Sequence, residues 1–110
     1  MPLVYKVLGQ SAPANTSNAD LYTVPASTSA IVSTLTISNT TATTATARVF
    51  VRVAAAAAAT TNAIIYDVSI AGNSVASFTL GITLATTDVI TVRTGTANAL
   101  TFQAFGSQVS

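Results

Sequence analysis

Cysteine, histidine, tryptophan and glutamate are absent from this sequence, and only four basic and three acidic side chains stand among its 110 residues. Each absence removes a class of function. Without cysteine there is neither a disulfide staple nor a thiolate metal site, a composition compatible with folding in a cytoplasm. Without histidine the usual zinc ligand and the usual general base are both missing. The carboxylates, Asp20, Asp67 and Asp88, have no spacing that pairs them, and calcium loops require several closely spaced oxygens. Eleven serines offer hydroxyls, but no Gly-x-Ser-x-Gly elbow and no activating partner accompany them. The expectation is a protein that is not an enzyme and carries no cofactor or metal.

The cations are equally uninformative as a footprint. Lys6, Arg48, Arg52 and Arg93 are scattered, whereas nucleic-acid binding needs a clustered basic surface that neutralises phosphates. The longest uncharged stretch, Leu21 to Ala47, has threonine or serine at nearly half its positions, so it is not an apolar span of about 20 residues suited to a bilayer. The segment Met1 to Lys6 lacks the basic, apolar and small-residue regions of a secretory signal. Neither nucleic acid nor membrane is expected as a partner, and folding in a cytoplasm is the default.

What the sequence holds instead is 21 alanines, 20 threonines and 11 serines, with half of all residues hydrophobic. That much apolar surface argues for a folded domain rather than a disordered chain. Threonine, valine and isoleucine favour a pleated, half-buried surface, and leucine apart, few residues suit an exposed helix. Charged residues make up 6% of the chain, against roughly a quarter in an average soluble domain. A charge-poor exterior is what permanent subunit interfaces present. The alternative is a monomer coated in uncharged hydroxyls.

Alternation places the strands. An apolar run, Leu3 to Leu8, precedes a loop of small and turn-forming residues through Asn18, and Leu21 to Val24 is a brief extended segment closed by Pro25. Ile31, Leu35 and Ile37 alternate with hydroxyls, and Val49, Val51 and Val53 alternate with Arg48, Phe50 and Arg52. The six alanines Ala54 to Ala59 have the highest helix propensity. Their run is too short to repay helix nucleation, which favours a hairpin loop or a continued strand with at most one helical turn. Alternation resumes over Ile64 to Ile70 and again from Ser74 to Leu84, where Gly81 signals a bulge or a close backbone approach. Val89 to Thr94 and Leu100 to Phe105 complete the set.

Seven or eight short strands with no helical pattern between them predict a single all-β domain, an antiparallel β-sandwich of jelly-roll or immunoglobulin-like connectivity. Residues 1–19 read as an amino-terminal arm and loop, and residues 20–110 as the sandwich. The predicted core is Ile31, Leu35, Ile37, Val49, Val51, Val53, Ile64, Tyr66, Val68, Phe78, Leu80, Ile82, Ile90, Val92, Leu100 and Phe102. Two segments stand out as interface candidates. Leu3, Val4, Tyr5 and Lys6 either form an arm that adds to a neighbour's sheet or serve as an ordinary first strand. Arg48, Phe50 and Arg52 share the face opposite the valine row. They either dock on acidic groups of a partner, with Phe50 filling a pocket there, or the arginines pair within the subunit, with Asp67 as the candidate partner, and Phe50 belongs to a second packed face.

Several short motifs carry a family resemblance: Tyr5-Lys6-Val7-Leu8-Gly9-Gln10, Asp20-Leu21-Tyr22-Thr23-Val24-Pro25, Val32 to Asn39, Thr87-Asp88-Val89-Ile90 and Phe105-Gly106. Together the chain resembles small virion proteins of tailed bacteriophages, among them capsid decoration or cement proteins. The resemblance implies a β-sandwich or jelly-roll subunit, commonly trimeric, on the outer capsid surface of the virion, where it binds the major capsid protein and clamps neighbouring capsomers. A tail or baseplate component is the alternative within the same group. A glycan-binding module is the alternative from another class, weakened by the lack of tryptophan, since only Tyr5, Tyr22 and Tyr66 could offer a sugar platform.

Overall fold

The valine- and isoleucine-rich alternating segments form strands in a computed structural model, which describes residues 3–110. Met1 and Pro2, the first residues of the expected arm, lie outside the described residues. Nine strands follow one another: β1 (Leu3–Ser11), β2 (Ala19–Thr23), β3 (Ser29–Asn39), β4 (Ala45–Arg52), β5 (Ala63–Ile70), β6 (Val75–Phe78), β7 (Ile82–Leu84), β8 (Val89–Thr94) and β9 (Leu100–Val109). They make two antiparallel sheets. One has the order β1-β9-β3-β6, with β7 also on β3, and the other has β2-β8-β4-β5.

The strand order decides between the two expected connectivities. β6 pairs with the Leu35–Ser38 part of β3 and β7 with Ala30–Val32, so the two behave as one strand broken between Thr79 and Gly81. Gly81 has φ +63 and open space around it. It supplies a left-handed turn at the break rather than a close backbone approach. Counted as one, the broken strand makes eight strands in the orders first-eighth-third-sixth and second-seventh-fourth-fifth. This is a jelly roll, in which each sheet mixes strands from both halves of the chain. Immunoglobulin-like connectivity would instead place the first two strands side by side.

β1 is a member of this sandwich. Leu3 to Ser11 pair with Val109 back to Phe102, with one bulge between Val7 and Gly9, so the division at residue 19 does not mark the edge of the domain. The physical reason lies in β9, whose ten residues need partners on both sides and find them in β3 and β1.

The core lies between the sheets, centred on Phe102, Leu35, Ile37, Ile90, Leu100, Val32, Val49 and Val92. Alanines contribute as well: Ala30, Ala45, Ala47, Ala99 and Ala104 are buried. Where the chain packs tightest, only glycine fits. A Cβ on Gly106 would stand 1.9 Å from the Ile31 carbonyl oxygen on the adjacent strand. Six alanines behave differently: Ala54 to Ala59 form most of the connection between β4 and β5, which opens on a tight turn at Val53–Ala55 with φ +52 at Ala54 and +60 at Ala55 and closes on a 3-10 turn at Thr60–Asn62. The connection is held from outside itself. Arg52 Nε donates to the Ala56 carbonyl at 2.6 Å, and the buried Asp88 accepts from the Ala54 N–H at 2.9 Å. Asp88 also accepts from the Ala85 N–H at 2.9 Å, which makes it the cap of its own turn.

Candidate functional site

β-Bulges determine which side chains reach the outer faces. On β3 the register with β9 shifts between Val32 and Thr34. Ala30 and Val32 therefore point inward before the shift, and Leu35, Ile37 and Asn39 after it. Ile31 is turned out and left half exposed. On β5 an extra residue, Asp67, falls between Tyr66, which pairs Arg48, and Val68, which pairs Ala47. A second shift frees Ile64. Ile64 and Tyr66 are consequently exposed instead of core, while Ile65 and Ile70 are buried. Val53 and Leu80, also expected inside, sit in turns and are exposed. Val51, Phe78 and Ile82 pack at the core margin, and Val68 remains exposed on the edge strand β5.

The outer face of the β2-β8-β4-β5 sheet carries most of the charge. Arg48, Phe50 and Arg52 do share it, but none stands free. Arg48 makes a bidentate pair with Asp67, Nε to Oδ1 at 2.7 Å and Nη2 to Oδ2 at 3.1 Å. Its guanidinium also lies 4.2 Å from the Tyr66 ring centroid, a cation–π distance. Phe50 points outward yet is only 4% exposed, packed edge-on against Tyr66 with centroids 6.5 Å apart. Arg52 bonds Asp20 Oδ1 at 3.2 Å, Thr91 Oγ1 at 3.1 Å and the carbonyls of Ala55 and Ala56. Of the two roles open to the arginines, pairing within the subunit is the one seen, and Asp67 is the partner of Arg48.

Asp67 reaches Arg48 because it is the bulge residue, with φ +55, a left-handed conformation that aspartate tolerates better than most residues. The Arg48 hydrogen bond, reinforced by the charges of Arg48 and Arg93, holds its carboxyl below the ordinary carboxylate range, and the same bond raises Arg48. A depressed folded value means that the pair's contribution is complete above the unfolded carboxylate pKa. It is lost as pH falls through the folded value. In a carboxyl-carbon NMR titration Asp67 should therefore titrate below a free aspartate. Arg48→Gln should move it back up, and an unchanged midpoint in that variant would show that the pair does not persist in solution.

One residue of this face escaped the sequence reading. Arg93 on β8 lies directly opposite Arg48 on β4. The only signal was the alternation of Thr91 and Arg93 along β8.

The other surface is β1 and the sheet face beside it. Leu3, Val4, Tyr5, Lys6 and Val7 are all exposed, Tyr5 at 79%. β1 pairs β9 on one side only. Tyr5, Ser107 and Ile31 form one outward row across three strands, and Leu3, Val109 and Ser29 form the next. Among the described residues this part of the face carries no charge. Tyr22, in contrast, is buried, its hydroxyl donating to Gln108 Oε1 at 2.5 Å and its pKa raised by burial. No helix among the described residues is long and apolar enough to cross a membrane.

The fold has a relative among virus structures. A chain in the structure of infectious bursal disease virus, Gx strain, superposes on 97% of this chain with a TM-score of 0.52. The identity is 15%, and the match takes in 31% of that chain, so this protein spans about a third of the length of the chain it matches. At that identity the likeness is one of fold. No family model matches the sequence, and no curated protein does. A jelly roll also occurs in lectin domains and cupins, so the surfaces, not the fold, must carry the argument for function.

Proposed function

We propose that this chain is a non-catalytic structural subunit of a virus particle. In this reading it is a decoration protein that self-associates, as a trimer, and clamps the outside of a capsid lattice. The observation that carries the proposal is β1. A nine-residue edge strand with Leu3, Val4, Tyr5 and Val7 exposed, a single cation in Lys6, and one unpaired side is a template for another chain. A monomer living in water usually blunts such an edge with charge, proline, a bulge or a covering loop, and over Leu3 to Val7, ahead of its bulge, β1 carries only Lys6. The jelly-roll strand order, the likeness to a chain of a virus structure, and the sequence resemblance to small virion proteins of tailed phages support the setting.

A cement protein is present in hundreds of copies, whereas a tail or baseplate component is present in few. Its band on a gel of purified virions should therefore approach the intensity of the major capsid protein, and cryo-electron imaging of those virions should place it on the shell. A faint band with density on the tail would overturn the decoration role in favour of the tail. Saturable binding to a glycan array by the isolated protein, without incorporation into virions, would favour an adhesion module.

A further inference from the structure

On the face of the sandwich away from β1, the charges are unevenly satisfied. Asp67 is taken by Arg48 and Asp20 by Arg52, and the buried Asp88 is bonded to backbone N–H groups. Among the described residues, the Arg93 guanidinium has neither a salt bridge nor a hydrogen-bond acceptor. Like charges directly opposite on adjacent strands disfavour the sheet, yet Arg93 faces Arg48 across the β4–β8 ladder. Asp67 feels both cations, but its one negative charge leaves the pair with one positive charge unbalanced. It also uses its two oxygens to fix the Arg48 guanidinium in one orientation, which prepares the pair for a second anion.

The space beside them is shaped. Arg48 and Arg93 line a depression of about 200 Å³, walled by Thr16, Thr46, Asp67 and Gly95. That volume is below the roughly 300–1,000 Å³ of small-molecule sites. The end of one acidic side chain fits it. Arginine's planar fork matches a carboxylate bidentately, and Thr16 and Thr46 line the same depression.

We infer that Arg93, with Arg48 held beside it by Asp67, is a receptor for a carboxylate side chain on an acidic segment of a partner protein. The identity of the partner as a virion protein rests on the proposal above; the site itself does not. The interaction is set by charge, so it weakens with salt.

The test is an NMR titration of the isolated full-length protein, observing the arginine Nε–Hε signals, with a hexaglutamate peptide as probe. Arg93 should shift saturably at low salt, Arg52 should stay still, and Arg93→Gln should weaken binding about tenfold or more. Arg93→Lys, which keeps the charge without the fork, should fall between the two. Each variant is first checked for an unchanged melting temperature. A linear, non-saturating shift at Arg93, or equal affinity in Arg93→Gln, overturns the site. Saturation by 3′-sialyllactose but not by hexaglutamate overturns the partner class and assigns the site to acidic sugars. Saturable hexaglutamate binding in a protein that imaging places off the shell would sustain this site and reject the decoration role, so the two failures are distinguishable.

Discussion

Replacing Asn39 by alanine should lower the midpoint of thermal unfolding by roughly 15–25 °C, taking a loss of about 3–4 kcal/mol and the usual sensitivity of a domain this size. Asn39 ends β3 with its side chain 3% exposed, and all four hydrogen-bonding positions of the amide are filled. Nδ2 donates to the Thr43 carbonyl at 2.8 Å and the Ile70 carbonyl at 3.0 Å. Oδ1 accepts from the Thr41 N–H at 2.9 Å and the Thr41 hydroxyl at 2.7 Å. One side chain thus closes the turn between β3 and β4 and ties it to the end of β5. Alanine leaves the buried Ile70 carbonyl without its donor, at about 1–3 kcal/mol, and gives up the bonds to the Thr43 carbonyl and to Thr41, each worth about 0.5–1.5 kcal/mol. Asn39→Asp separates this account from simple loss of volume. A carboxylate can still accept from Thr41 but cannot donate to Thr43 and Ile70. Burial and those carbonyls favour its protonated form, so the folded pKa is raised and stability is lost as pH rises through it. Asn39→Asp should accordingly be less damaging in mildly acidic buffer than at neutral pH. A melting temperature within a few degrees of the parent for both variants would refute the network's importance.

How far the sequence discloses this architecture depends on where the period of two is intact. β4 shows it clearly: Ala45, Ala47 and Val49 point in, while Arg48, Phe50 and Arg52 point out, as the valine row implies. β8 and β9 likewise bury Ile90, Val92, Leu100 and Phe102. The errors cluster at bulges. A bulge adds one residue and reverses inside and outside for everything beyond it. Ser33 is an ordinary strand residue whose bulge leaves no mark in composition, and Asp67, though its type is depleted in strands, also fits the polar side of the alternation around it. Ile31, Ile64 and Tyr66 were misplaced for that reason alone. Alanine hid the opposite error, since Ala30, Ala47 and Ala104 are as buried as any valine yet read as neutral in a hydrophobic pattern. On the charged face, the sequence carried the shared side of Arg48 and Arg52 and the candidate Asp67. The facing of Arg48 and Arg93 depends on β4 lying next to β8, a pairing across some forty residues that no local pattern encodes.

The double variant Tyr5→Lys, Ile31→Lys should convert the assembled protein to a monomer of close to 11.1 kDa while leaving the sandwich folded. Both side chains lie in one outward row, Tyr5 on β1 and Ile31 two strands away on β3, with Ser107 of β9 between them. Tyr5 is 79% and Ile31 48% exposed in the single chain, so covering them is free energy still to be gained by association. By area, the two together are worth about 2–4 kcal/mol, or about 30- to 1,000-fold in an association constant at 1.4 kcal/mol per factor of ten. Lysine forfeits that gain and adds like-charge repulsion wherever copies meet about a symmetry axis, a cost that the uncharged native patch avoids. The fold should tolerate the change, because substitutions at exposed positions shift stability by only about 0.5 kcal/mol. β1 also keeps its full ladder to β9. The measurement is light scattering at micromolar concentration beside a melting curve. The parent chain should give a trimer and the variant a monomer with a similar melting temperature. A parent that is already monomeric refutes self-association outright. A variant that remains trimeric moves the contact away from this row, and Val4→Lys, on the opposite side of β1, then tests whether the strand's other face carries it.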